Sequence, residues 1–165
     1  MSFKMILVSL MGVVAFIVAV VFILTSGQKP PPATTSYSVQ ENARPRAEVG
    51  QDFFDLGEMK VSAVGQKDFE IKNTGTQPLQ ILNINSSCNC TFGQVIYQGK
   101  ISKEFGMHAQ SGFVTEIAPG DTATVRVTYR PVIMPVYGPV EREVYLTTND
   151  PDNGKLIFRV KAIVK

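Results

Sequence analysis

Cys88 and Cys90 are the only two cysteines of a 165-residue chain, and a single residue, Asn89, separates them. Cysteines that staple an exported fold usually lie far apart in sequence, because the stabilisation from a cross-link grows with the loop it closes. A pair this close closes almost no loop, so its purpose is local. On an extended strand, residues i and i+2 point to one face with Cα atoms about 6.6–6.8 Å apart, at the outer edge of what a disulfide spans. A turn after Asn85-Ser86-Ser87 would shorten that distance. A bridge that stiffens the turn, an easily reduced redox pair and two thiolates sharing one metal ion all fit the spacing.

A second group of reactive side chains stands in Lys103-Glu104-Phe105-Gly106-Met107-His108-Ala109, which contains the one histidine of the chain. Thiolate, imidazole and thioether together form the donor set that selects copper, whereas zinc seldom takes methionine. Cys88, Cys90, Met107 and His108 are therefore the candidate metal ligands, with Met134 as a further sulfur and copper as the candidate cofactor. Shared ligation requires the two cysteine sulfurs within about 4 Å of each other and within about 5 Å of His108 or Met107. Against it, a loop histidine is most often only solvated and a methionine most often fills a gap in a core. His108 could also lower a cysteine pKa and form a nucleophilic pair. No third residue is placed by sequence to orient such a pair, and neither a phosphate-cradling glycine loop nor a paired-carboxylate motif is present. Glu141-Arg142-Glu143 reads as the solvated face of a strand. The chain is read as a non-enzyme with no catalytic residue.

The elements that must position these residues follow from charge and hydropathy. The 16 basic and 14 acidic residues nearly cancel, which leaves no nucleic-acid footprint. Residues 5–24 carry no charge, and at 1.5 Å rise each they reach about 30 Å, the thickness of the hydrocarbon core. Residues 1–25 are accordingly expected to be one N-terminal transmembrane helix, an uncleaved signal-anchor, since the apolar core of a cleaved signal is shorter. Lys4 favours a cytoplasmic N-terminus, which places the C-terminal domain in the periplasm or outside the cell. Residues 26–47 are rich in Pro, Ser and Thr and poor in large apolar side chains, so a flexible stalk is expected there.

From residue 48 to 165 the pattern becomes short alternating runs separated by turns. Ala123, Val125, Val127 and Tyr129 alternate with Thr124, Arg126 and Thr128; Leu156, Phe158, Val160, Ala162 and Val164 alternate in the same way. Phe69 and Ile71 alternate with Asp68, Glu70 and Lys72. Residues 140–148 also read as extended, as do residues 79–85, which are apolar on both faces and so expected near the sheet centre. Asn73-Thr74-Gly75, Pro119-Gly120-Asp121 and the stretch 149–154 supply the turns. Six to eight such strands predict an all-β, immunoglobulin-like antiparallel β-sandwich. Residues 131–139, apolar and punctuated by proline, are expected to cap one end of the core or to present Met134 and Tyr137 to a partner.

Several strings carry a resemblance to a family. They are Phe54-Asp55-Leu56-Gly57, Phe69-Glu70-Ile71-Lys72-Asn73-Thr74-Gly75, Pro78-Leu79, Ser87-Cys88-Asn89-Cys90-Thr91, Ile117-Ala118-Pro119-Gly120-Asp121 and Thr148-Asn149-Asp150. In this order they resemble the bacterial domain of unknown function 1573, which is similar to the Hydin-type and PapD-like group of immunoglobulin-like sandwiches. The resemblance covers residues 52–165 and implies an exported binding or assembly module without assigned activity. Asn89 departs mildly from the residue usual between the cysteines. The stretch 92–113 is longer than the usual connection, and no role is carried onto it. The expected partners are the membrane, through the single helix, and a protein recruited along a strand edge by β-augmentation. Copper binding or delivery through Cys88, Cys90, Met107 and His108 is the alternative function.

Overall fold

The computed structural model describes residues 3–26, 33–110 and 112–165. Its contacts divide the chain into two compact units, Met1–Pro32 and Ala33–Lys165. The first contains α1 (Phe3–Thr25), a 23-residue helix. Residues 10–24 of α1 are exposed on every side. Among the described residues no helix is long and apolar enough to cross a membrane. Residues 27–32, part of the expected stalk, lie outside the described residues.

The second unit is a β-sandwich. Its strands are β1 (Ala47–Val49), β2 (Phe53–Met59), β3 (Gly65–Asn73), β4 (Leu79–Ser86), β5 (Thr91–Tyr97), β6 (Lys100–Ile101), β7 (Thr115–Ile117), β8 (Thr122–Tyr129), β9 (Gly138–Thr148) and β10 (Lys155–Val164). One sheet has the order β1-β3-β8-β5-β6 and the other β2-β10-β9-β4-β7. The alternating rows read from sequence both enter the core: Val125, Val127 and Tyr129 of β8 and Phe158, Val160 and Ala162 of β10 are all essentially inaccessible. Each large apolar side chain so buried contributes roughly 1.5–3 kcal/mol, an upper estimate because unfolded chains already hide some of that surface. The rings of Phe69 and Phe158 meet between the sheets at 5.2 Å.

Three features differ from expectation. First, the sandwich is not wholly antiparallel: β2 runs parallel to β10, from Phe53 opposite Arg159 to Met59 opposite Val164, with a register shift between Lys161 and Ile163. The two strands are remote in sequence, so no hairpin forces them antiparallel. Second, β4 is an interior strand as expected, paired with β9 and β7, but it is fourth of five and not the middle one. It lies next to the three-residue edge strand β7, and its outer face is covered instead by the chain before the sandwich, where Gln80 accepts a hydrogen bond from Thr35 N–H (3.0 Å) and donates one to the Ala33 carbonyl (3.2 Å).

Third, the part of the expected stalk that belongs to the second unit, residues 33–47, is docked on it. Thr74 and Thr76 donate to the carbonyls of Arg46 and Arg44 at 2.9 and 3.0 Å. Arg44 is buried and pairs with Asp152 at 2.7 Å. Ala47 N–H reaches the buried Asp150 carboxylate at 2.8 Å. Backbone hydrogen bonds and one paired arginine hold this segment, which explains why its lack of apolar side chains misleads.

Candidate functional site

The cysteine pair occupies the corner where the chain passes from one sheet to the other, between the end of β4 and the start of β5. Two bonds tie that corner to β9: Ser87 N–H donates to the Glu143 carbonyl (2.9 Å), and Glu143 N–H to Ser87 Oγ (3.0 Å). Thr91 N–H closes the turn on the Cys88 carbonyl (3.2 Å), Ser86 Oγ donates to the same carbonyl (2.8 Å), and Arg130 N–H donates to the Cys90 carbonyl (2.8 Å). This turn brings the two Cα atoms to 5.3 Å, and Cys88 and Cys90 form a disulfide.

The surroundings of the two sulfurs differ. Cys90 is fully buried, whereas Cys88 is half-buried. Cys90 N–H points to Cys88 Sγ at 3.2 Å. The Thr91 hydroxyl, itself fully buried, lies 3.4 Å from Cys88 Sγ and 3.9 Å from Cys90 Sγ. Neither bridged sulfur carries a proton, so the hydroxyl is the donor, its single proton shared between the two sulfurs and nearer Cys88.

The expected metal site is not assembled. As a disulfide, Cys88 and Cys90 offer no thiolate. Gly93 and Phe105 exchange both backbone hydrogen bonds, at 2.9 Å each, and Ala109 N–H then closes a turn on the Gly106 carbonyl. Met107 and His108 form the exposed tip of that turn. Met134 is exposed on a different loop. Among the described residues no group of three or more His, Cys, Asp or Glu side chains is placed to hold a metal ion.

Beside the disulfide corner stands the connection from β8 to β9. Pro131 is buried and begins a short 3-10 turn, Pro131–Ile133. After it Val132, Ile133, Met134, Val136 and Tyr137 are exposed in succession, Tyr137 to 67%. Arg130, which leads into this loop, stacks on the Phe92 ring at 4.7 Å and makes a bidentate ion pair with Glu104 at 2.8 and 2.6 Å. That pairing holds the Glu104 carboxyl below its ordinary value and raises the Arg130 guanidinium. In β3 and β8, Gly65 lies opposite Tyr129 while Lys72 lies opposite Thr122. The apolar loop and the disulfide therefore share the Tyr129 end of the sandwich, and the docked segment 33–46 lies at the Asn73 end.

Arg142 corrects the reading of Glu141-Arg142-Glu143 as a solvated face. It falls on the inward row with Val140 and Val144, opposite Val160 of β10. Its guanidinium lies 5.5 Å from the Tyr129 ring centre. Its Nε and the Tyr129 hydroxyl are buried without a hydrogen-bond partner among the described residues. The parity set by Val140, Val144 and Leu146 carries this signal in the sequence. The role of Thr91 leaves no sequence signal, because it depends on the geometry of the turn.

Residues 47–164 match the family model described as a protein of unknown function, DUF1573. No curated protein matches the chain in sequence. Among solved structures, a protein of unknown function from Porphyromonas gingivalis W83 is similar over 76% of this chain, with 19% identity and a TM-score of 0.58. The alignment spans 50% of that protein's chain. A PapD-like domain of human CEP192 aligns over 82% of this chain and 98% of its own, with 14% identity and a TM-score of 0.49. At 19% identity the likeness to the Porphyromonas gingivalis protein concerns the fold alone.

Proposed function

Because the chain belongs to the DUF1573 family, whose model spans its β-sandwich, we propose that it is a membrane-tethered, extracytoplasmic binding or assembly module that engages a polypeptide partner through the apolar loop 131–138. The observation that carries the reading is the unbroken exposure of Val132, Ile133, Met134, Val136 and Tyr137 on a loop tied at its root to the sandwich. Scattered surface apolar residues need no explanation, but a contiguous apolar ridge marks an interaction site. Strand edges serve less well. The longest edge strand, β2, is kinked by Gly57 at φ +72° and carries the Glu58–Lys165 ion pair, features that blunt an edge against added strands. The tether is supported by the uncharged run of residues 5–24 and by the apolar side chains that residues 10–24 of α1 expose on all sides; a helical stretch apolar all round suits hydrocarbon better than water.

A photo-crosslinking residue placed at Tyr137 in native cells should yield a discrete protein adduct, and the same residue at Lys72, at the opposite end, should not. Equal adducts at the two positions would remove the loop from the reading. The full chain should stay in the membrane fraction after an alkaline carbonate wash, and release into the supernatant would remove the tether.

A further inference from the structure

We propose that Cys88–Cys90 is a thiol–disulfide exchange centre that oxidises a dithiol on a cysteine-bearing polypeptide seated on the apolar loop. Only the class of substrate rests on the loop reading; the exchange chemistry stands on the disulfide and its surroundings. The bond is poorly placed as a staple, since it spans one intervening residue and the corner is already held by the hydrogen bonds of Ser86, Ser87, Thr91, Glu143 and Arg130. The sulfurs are unequal in access, with Cys88 half-buried and Cys90 fully buried, so an incoming thiolate meets Cys88. The donors aimed at the pair, Cys90 N–H and the buried Thr91 hydroxyl, are worth little to a neutral disulfide and much more to a thiolate.

The step balances without another reagent. A substrate thiolate attacks Cys88 Sγ, the Cys88–Cys90 bond breaks, and its electron pair leaves on Cys90 Sγ beside the Thr91 hydroxyl. The second substrate thiolate then attacks the substrate sulfur of the mixed disulfide and expels Cys88 as a thiolate, which accepts hydrogen bonds from Cys90 N–H and the Thr91 O–H. Two electrons pass from substrate to protein. The substrate leaves as a disulfide, its thiol protons go to solvent, and Cys88 and Cys90 take up protons from solvent as their pKa values dictate. The Cys90 carbonyl is bonded to Arg130 N–H, one residue before the loop begins, so a chain lying on Val132 to Tyr137 is delivered to this corner.

The test uses the oxidised full chain in detergent micelles, with exchange followed by mass spectrometry. The probes are reduced glutathione, a reduced two-cysteine peptide flanked by Leu and Val, and the same peptide flanked by Ser. Millimolar glutathione should reduce the pair. With glutathione disulfide, Cys90→Ser should form an adduct on Cys88 at least tenfold faster than Cys88→Ser forms one on Cys90. Thr91→Val should slow exchange about tenfold, with Thr91→Ser restoring it, a rescue that a purely packing role would not give. The apolar peptide should be oxidised about tenfold faster than the Ser peptide, and a Val132→Ser, Met134→Ser, Tyr137→Ser variant should lose that preference. Resistance to glutathione, equal trapping on the two cysteines, or wild-type exchange in Thr91→Val would overturn the exchange centre whatever the loop does. Equal rates for the two peptides would overturn the substrate class and the loop reading together.

Discussion

A disulfide across one intervening residue adds little to a fold, because the unfolded chain keeps the two sulfurs close without it. Loop-closure entropy for so short a ring corresponds to about 1–2 kcal/mol. The chain with Cys88–Cys90 reduced should therefore lose no more than that in urea unfolding relative to the oxidised chain and keep its β-sheet circular dichroism; a loss beyond about 4 kcal/mol would make the bond a structural staple after all. The spacing of the pair was plain in the sequence, but its state was not, because the Cα separation depends on whether the backbone runs straight or turns. Ser87 decides that question by bonding to Glu143 of β9, a contact between residues remote in sequence. Met107 and His108 supply suitable metal donors by type, yet the backbone pairing of Gly93 with Phe105 sends them to an exposed turn.

At the scale of elements, strands with an apolar inward row could be read directly, and β5 could not. Its inward residues are Thr91, Gly93 and Val95, a row with little apolar alternation. Gly93 stands there because a Cβ would lie 2.6 Å from Val144 Cγ1 and 2.8 Å from Ile84 Cγ2, between the two sheets. Gly93→Ala should overpack that contact and destabilise by about 1–3 kcal/mol, read as a lower urea midpoint at unchanged slope. The strands are also linked by ion pairs on their outer faces. Arg126 lowers the Asp68 carboxyl below its ordinary value across β3 and β8. The Tyr145 hydroxyl, two residues along β9, and Arg159, across on β10, do the same for Glu143, as Arg130 does for Glu104. A carboxyl whose pKa is depressed on folding stabilises the native state above its unfolded value and loses that contribution as pH falls through the folded one. Urea midpoints should thus be level from pH 7 to about 5 and fall below roughly pH 4, with a shallower fall in Glu104→Gln. A midpoint unchanged at pH 3 would show that these exposed pairs contribute nothing measurable.

For the molecule as a whole, the two-sheet fold and its family were legible from the order of the strand and turn strings, whereas the extent of the sandwich unit was not. Composition marks residues 26–47 as a linker, and it cannot register a segment held by backbone bonds to a turn. Gly75 is the residue that permits this docking. Its backbone lies so close to residues 44–46 that a Cβ would fall under 3.0 Å from the Arg44 carbonyl oxygen, the Arg46 nitrogen and the Pro45 carbonyl carbon. These are main-chain atoms, so no rotamer change can relieve the clash. Gly75→Ala must push the segment away, breaking the bonds from Thr74 to Arg46 and from Thr76 to Arg44 and separating Arg44 from Asp152. The buried rows of β8 and β10 make none of those contacts. Amide exchange at Thr35, Thr74 and Thr76 should therefore accelerate at least tenfold in Gly75→Ala, and new protease cleavage should appear within residues 33–46. Amides of Val125 and Val127 should keep their protection. Unchanged exchange at Thr74 and Thr76 would mean that the segment is held elsewhere. A matching loss of protection at Val125 would mean that its docking is part of the cooperative core, making the segment as integral to the sandwich as a strand.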